Sequence, residues 1–371
     1  YLSDAQANTA FSLCGFLFAV FMIPGGRLQD RYGPRAGATL AGLCLGAGCV
    51  VAGLMQSYLG LILGFGLLGG IGMGLGYAAA TPAAVRWFGP HRRGLIVGLV
   101  VGGYGGAAVY IAPLARTLIT DYGLTGSFVA LGVLFATVVV TAAQFLKMPP
   151  AGYVPPAPPQ TTAAAKPAAV DVPAAAMLKT WQFFALVGLF IGSAQAGLLV
   201  IGNAVLIQKD VLNNTSKEEA AFFATVAWLL TAYGGVVNAS GRVGTGTYSD
   251  RVGRVNAFGL NGLAAAVCLF ALPAVIAAGN VWLLFLVVGV VYWQYGGTLA
   301  LMPAWTADFY GAKNLGLNYG LVFLGWGVAF FVPQLAAEIK DVTGSLDGAF
   351  YLSGGLLAAA VVGSRFVTKP G

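Results

Sequence analysis

Long stretches free of charge, each near 20 residues, alternate with short polar turns along the whole chain. Runs long enough to cross a bilayer fall at 7–28, 36–55, 58–82, 94–119, 126–146, 181–206, 220–245, 256–278, 281–305, 315–337 and 349–366, which predicts eleven membrane helices. A barrel strand needs only about 10 alternating residues, and these runs are continuous, so the pattern predicts an all-α polytopic membrane protein. The densest glycine run, Gly66-Leu67-Leu68-Gly69-Gly70-Ile71-Gly72-Met73-Gly74-Leu75-Gly76, predicts a helix packed closely among neighbours. No strand precedes it and no lysine follows the glycines, which excludes a phosphate-binding loop.

The polar turns carry a repeat. Gly26, Asp30, Arg31 and Gly33 form G-x-x-x-D-R-x-G, and Gly246, Asp250, Arg251 and Gly253 form it again 220 residues later. Each copy predicts a tight turn between two helices, where the aspartate meets a helix N-terminus or a neighbouring arginine. Such a motif has no chemistry of its own; it suits a latch that holds one conformation. Between the copies, residues 148–177 are rich in proline and alanine and predict a semi-extended linker. It separates residues 1–147 from residues 178–371. Of the 19 lysines and arginines, 14 fall in turns on one side of the alternating path and 4 on the other. That asymmetry places the first side, the linker and the C-terminus in the cytoplasm.

Composition narrows the function classes. The 371 residues are 58% hydrophobic and 8% charged, with mean hydropathy +0.82, against about 25% charge in soluble domains. The basic balance, with pI near 9.2, is scattered among short loops and forms no stripe for nucleic acid. Cys14, Cys44, Cys49 and Cys268 lie in apolar runs without metal-ligand spacing, and the single histidine, His91, sits in a charged loop. No nucleophile–base set or soluble catalytic domain is present, so an enzyme is not expected; nor is a cofactor or metal.

One residue breaks the apolar pattern. Arg242 lies eight positions before Asp250, which puts its Cα roughly 12 Å inside the membrane edge at about 1.5 Å per residue. A charge there costs a few kcal/mol or more, and snorkelling recovers only about half that depth. Arg242 is therefore expected to face a water-filled cavity and to bind an anion. Asn238, one turn earlier, shares its face.

These residues resemble the major facilitator superfamily, whose signature follows the second helix of each six-helix half. The resemblance implies two such halves. Residues 1–147 correspond to family helices two to six and 178–371 to helices seven to twelve, with helix one missing. Thr9-Ala10-Phe11-Ser12-Leu13, Arg86-Trp87-Phe88, Arg92-Arg93-Gly94-Leu95, Gly103-Tyr104-Gly105 and Asn318-Tyr319-Gly320 resemble the oxalate/formate antiporter and monocarboxylate transporter branch. In that branch the arginine matched by Arg242 binds a substrate carboxylate. The branch implies aromatic chamber walls at Tyr77, Tyr104 and Tyr295; Tyr292 and Phe323 are further candidates. Two departures matter. The lysine of oxalate carriers is replaced by Trp326, and the aspartate of animal monocarboxylate carriers by Asn238, which cannot carry a proton. The expected function is secondary transport of a small monocarboxylate such as lactate or pyruvate by a monomer in the inner cell membrane, with the proton as coupling ion. The alternative is an oxalate/formate-type exchanger; a drug-efflux carrier fits a lone buried arginine poorly. Asn8 and Asn203 are weaker candidates for the site, while Asp308 and Glu338 are expected to be solvated.

Overall fold

A computed structural model describes residues 4–150, 152–155, 171–225 and 228–370. Among the described residues nine helices are long and apolar enough to cross a membrane, and one of them, Pro90–Ala143, holds two of the predicted runs. It divides at Gly123, whose φ of 68° and ψ of −178° interrupt the helix. Gly33, Gly253 and Gly311 adopt nearly the same conformation at three other helix junctions. A side chain would strain the backbone there, so glycine permits each reversal within one residue.

In chain order the long helices are α1 (Asp4–Tyr32), α2 (Pro34–Met55), α3 (Tyr58–Trp87), α4 (90–122), α5 (124–143), α6 (Trp181–Gly202), α7 (Trp228–Val252), α8 (Arg254–Ala277), α9 (Val281–Tyr310), α10 (Leu315–Lys340) and α11 (Asp347–Ser364); α4 and α5 divide the one span Pro90–Ala143, and α7, which carries Arg242, is not among the nine. Two short helices, Ala204–Asn213 and Lys217–Thr225, connect α6 to α7. Helices α1–α5 pack among themselves, as do α6–α11; the two groups meet chiefly along α1 with α10 and α4 with α7.

Small residues set these contacts, since tight van der Waals packing joins helices in lipid. A Cβ on Gly48 of α2 would strike the Gly64 carbonyl of α3, and one on Gly64 would strike Gly48. In the same region Ile62–Gly69 is wound as a π-helix. Outward faces are apolar instead of charged. On α8, Leu260, Leu263, Val267 and Phe270 are exposed while Phe258, Ala265, Leu269 and Leu272 are buried. A soluble protein would not expose such a stripe; a bilayer covers it.

Most of the predicted linker lies outside the described residues, but both its ends are held. The indole of Trp87 donates to the Lys147 carbonyl at 2.8 Å, and Tyr153 donates to the Trp87 carbonyl at 3.1 Å. At the other end Asn318 Nδ2 donates to the Val172 carbonyl at 2.9 Å, and the Lys313 amide donates to Asp171 at 3.0 Å.

Candidate substrate site and latch

Arg242 projects from α7 towards α4 and is 5% exposed. Four glycines of α4 make room for it. A Cβ on Gly98 would fall on the Arg242 carbonyl, one on Gly105 would come within 2.8 Å of its Nε, and Gly94 and Gly102 continue the same stripe against α7. The guanidinium donates through Nε to Asn238 Oδ1 at 3.1 Å and through Nη1 to the Val101 carbonyl at 2.7 Å. Among the described residues no carboxylate forms an ion pair with it. It is buried between α4 and α7 rather than exposed at a helix end.

Beside it stands an aromatic box drawn from both helix groups. Tyr77 of α3 packs edge-on against Tyr104 of α4 with ring centroids 4.8 Å apart, and it lies 5.5 Å from Phe323 of α10. Phe18 of α1 touches Tyr77, Phe323 and Trp326 at 5.6, 5.2 and 5.2 Å. Trp326 stacks on Phe323 at 5.1 Å and donates its indole N–H to the Tyr295 hydroxyl at 2.9 Å. The hydroxyls of Tyr77, Tyr295 and Tyr319 lie within electrostatic reach of Arg242. Those of Tyr77 and Tyr319 are buried and make no hydrogen bond of good geometry.

Five of the expected residues are therefore brought together around Arg242: Asn238, Tyr77, Tyr104, Tyr295 and Phe323. Tyr104 is 40% exposed, but its hydroxyl turns in against Gly76 of α3. Tyr292 lies elsewhere. Its ring covers Gly234 of α7 within a second apolar cluster, nearly one helical turn along α9 from Tyr295. Asn203 is spent on its own helix, donating to the Leu199 carbonyl at 2.9 Å. The side chain of Asn8 lies outside the described residues. Sequence reasoning did not single out Phe18, Tyr319 or the Val101 carbonyl. The signal that could have found α4 as the helix approaching Arg242 is the glycine spacing at 94, 98 and 102, one per turn.

The repeated motif closes the end of the molecule where the basic turns lie. Asp30 accepts the Gly316 and Leu317 amides at 3.2 and 2.8 Å, thus capping the N-terminus of α10. Asp250 does the same for α4, accepting from Gly94 at 2.8 Å and Leu95 at 3.0 Å. Each carboxylate reaches from one helix group to the helix that the other group presents, and the first turn of a helix favours a negative charge. Gly26 against Gly316 and Gly94 against Gly246 leave no space for a Cβ between the backbones.

Arginines complete both latches, though not the two in the motif. Arg31 and Arg251 are exposed, and Arg31 lies over the Tyr32 ring. Arg86 pairs with Asp30 at 3.0 Å and also donates to the Ala312 and Lys313 carbonyls. Asp308 corrects an expectation, for it is not freely solvated. It accepts from Arg93 at 2.6 Å and from Arg254 at 2.9 Å, while Arg254 also holds Asp250 at 2.8 Å. Its helix-end position suggested solvent, but the end of α9 is covered by α4 and by the start of α8. Glu338 is exposed, as expected.

At the opposite end α1 and α10 stay in contact. Phe11 meets Phe330 at 5.1 Å, Phe16 meets Phe331 at 6.2 Å, and Gln334 bonds Ser12.

Comparisons with known proteins agree with this architecture. A sequence model of the Major Facilitator Superfamily matches residues 1–332. The oxalate:formate antiporter of Oxalobacter formigenes is 26% identical over 91% of this chain and 81% of its own length. Monocarboxylate transporter 12 of Xenopus laevis is 26% identical over 89% of this chain and 73% of its own. The structure of the Escherichia coli fucose:proton symporter FucP superposes with a TM-score of 0.68 at 14% identity, covering 99% of this chain and 92% of that one.

Proposed function

The chain belongs to the Major Facilitator Superfamily, and from that premise we propose that it carries a small lactate- or pyruvate-like monocarboxylate by alternating access, with Arg242 as the seat of the carboxylate. The observation that carries this reading is a buried guanidinium with no carboxylate partner among the described residues, beside the buried hydroxyls of Tyr77 and Tyr319, which make no hydrogen bond of good geometry there. An anion entering the box supplies the missing charge and a well-placed acceptor together. The occupied pair is close to neutral, which lowers the cost of moving the site past apolar gates. Asn238 orients the guanidinium, while Tyr77, Tyr295 and Phe323 wall in the rest of the acid. Relatives named as an oxalate:formate antiporter and a monocarboxylate transporter support this substrate class.

The size and charge of the cargo follow from Trp326. Its indole is bonded to Tyr295 and stacked on Phe323, so this wall offers an aromatic face and no second cation. A dicarboxylate would leave one carboxylate unpaired in a low-dielectric box, which is costly. That favours a monocarboxylate over the oxalate/formate-type exchange suggested by the Oxalobacter relative. Asn238 cannot carry a proton, and the box contains no carboxylate among the described residues. In this reading the cargo on Arg242 stays an anion, and the proton that accompanies it binds outside this pair. The basic end, the linker and the C-terminus are cytoplasmic, residues 1–147 and 178–371 are the two rocking halves, and the monomer is the working unit in the cell membrane.

Proteoliposomes carrying a pH dye and offered acetate, lactate, pyruvate, oxalate and formate test the reading. Saturable entry of lactate or pyruvate with acidification of the lumen is expected, and oxalate should be excluded. The Trp326→Lys variant should begin to take up oxalate and lose pyruvate affinity. Oxalate counterflow by the unaltered chain would refute the monocarboxylate assignment.

A further inference from the structure

Tyr319 is fully buried in the first turns of α10, its ring edge-on to Phe323 at 5.6 Å. Among the described residues its hydroxyl makes no hydrogen bond of good geometry, and neither does that of Tyr77, although the two lie within reach of each other and of the Arg242 guanidinium. Buried polar atoms are nearly always well paired. Each hydroxyl can donate and accept, but neither brings the negative charge that the guanidinium lacks. An oxyanion set among the three accepts from both hydroxyls and pairs with Arg242.

The turn that carries Tyr319 is also the most tightly held at the latched end. Its Gly316 and Leu317 amides bind Asp30, and the neighbouring Asn318 amide group binds the linker carbonyl of Val172. Gly320 lets this part of α10 lie directly on Met22 of α1. A ligand drawn to the Tyr319 hydroxyl from inside the box thus pulls on the same turn that α1 grips from the end of the molecule. We infer that Tyr319 is a direct ligand of the carried acid and that it couples occupancy of the box to release of the Asp30 latch. The inference rests on the anion-carrier reading above and adds a ligand and a coupling route to it. Chemically it requires an acceptor oxygen, supplied by the same carboxylate that Arg242 binds. No covalent step is involved.

The full chain in detergent, titrated calorimetrically with pyruvate, tests the first half. Tyr319→Phe keeps the ring and its packing and removes only the hydroxyl. It should weaken pyruvate binding about tenfold or more, the usual effect of losing a hydrogen bond to a charged group. Tyr310→Phe is the control. Its hydroxyl bonds Thr180 at 2.7 Å, away from the box, and its affinity should match the unaltered chain.

The second half is read from Val85→Cys, a buried position adjacent to the latch residue Arg86. Pyruvate should raise its rate of maleimide labelling several-fold. In the Val85→Cys, Tyr319→Phe protein that response should vanish, even with pyruvate raised to equal occupancy. Unchanged affinity in Tyr319→Phe overturns the ligand role. Weakened affinity with an intact labelling response at matched occupancy overturns the coupling. Arg242→Gln, titrated alongside, separates this inference from its premise. If that variant binds pyruvate normally the anion seat itself is wrong, whereas a strict need for Arg242 with no need for the Tyr319 hydroxyl sinks the inference alone.

Discussion

Replacing Arg242 with alanine is expected to lower the uptake of labelled lactate or pyruvate about thirtyfold or more while leaving a folded, monodisperse protein in detergent. The structure supplies the two halves of that expectation. Removing a desolvated charge partner costs about 2–5 kcal/mol of binding, and each 1.4 kcal/mol is a factor of ten. The fold loses little, because Arg242 is held only by an amide oxygen and one backbone carbonyl. Taking a buried cation away even relieves a desolvation cost. Asn238→Asp examines the same point from the other side. A carboxylate where Asn238 Oδ1 now lies 3.1 Å from Arg242 Nε would give the guanidinium a resident partner. At an effective dielectric near 20 that attraction is about 4 kcal/mol at such range, so anion affinity should fall even though Arg242 is intact. Undiminished affinity in Asn238→Asp would mean that the arginine's vacancy is not what the substrate fills.

The second large effect belongs to Asp308. This carboxylate is shared by two buried guanidiniums, those of Arg93 and Arg254. Asp308→Asn leaves Arg254 with Asp250 alone and removes the one carboxylate paired with Arg93 among the described residues. Stranding a buried partner costs about 3–5 kcal/mol. That penalty applies to the closed latch more than to the fold, since both arginines regain water when the helix groups separate at this end. A shift of 3 kcal/mol or so moves a conformational equilibrium about a hundredfold. Cysteine at buried Val97, between Gly94 and Gly98 on the latch helix, should label slowly in the parent and many-fold faster with Asp308→Asn. Turnover should drop because the carrier lingers in one state. Equal labelling rates would show that the charge cluster does not hold this end shut.

The long apolar helices, the paired turns and the burial of Arg242 were legible in the sequence because each rests on a periodic or one-dimensional signal. Twenty apolar residues must span, a repeated G-x-x-x-D-R-x-G must turn, and eight residues of helix have a fixed length. The aspartates of the motif were expected to meet a helix N-terminus or an arginine, and Asp30 and Asp250 do both. What the sequence concealed depends on which helices become neighbours. Nothing local distinguishes Asp308 from a solvated helix-end carboxylate until α4 and α8 bring Arg93 and Arg254 to it. Tyr292 and Tyr295 look alike in sequence, and only the neighbours that α9 meets at each level send one to the box and the other to the apolar core behind Gly234. Gly123 merged two predicted spans into one apparent helix, yet its backbone angles match those of Gly33 and Gly253, so the turn was of a kind the motif had already announced. Phe18 went unmarked because a lone aromatic in an apolar run carries no signal of its own, and Asn318-Tyr319-Gly320 pointed to the family without assigning Tyr319 to the site.

A structure of the chain soaked with pyruvate would address the heart of the account. The carboxylate should lie within hydrogen-bonding distance of the Arg242 guanidinium, inside the walls formed by Tyr77, Tyr295 and Phe323. Pyruvate found elsewhere, with Arg242 still bonded only to Asn238 and the Val101 carbonyl, would contradict it.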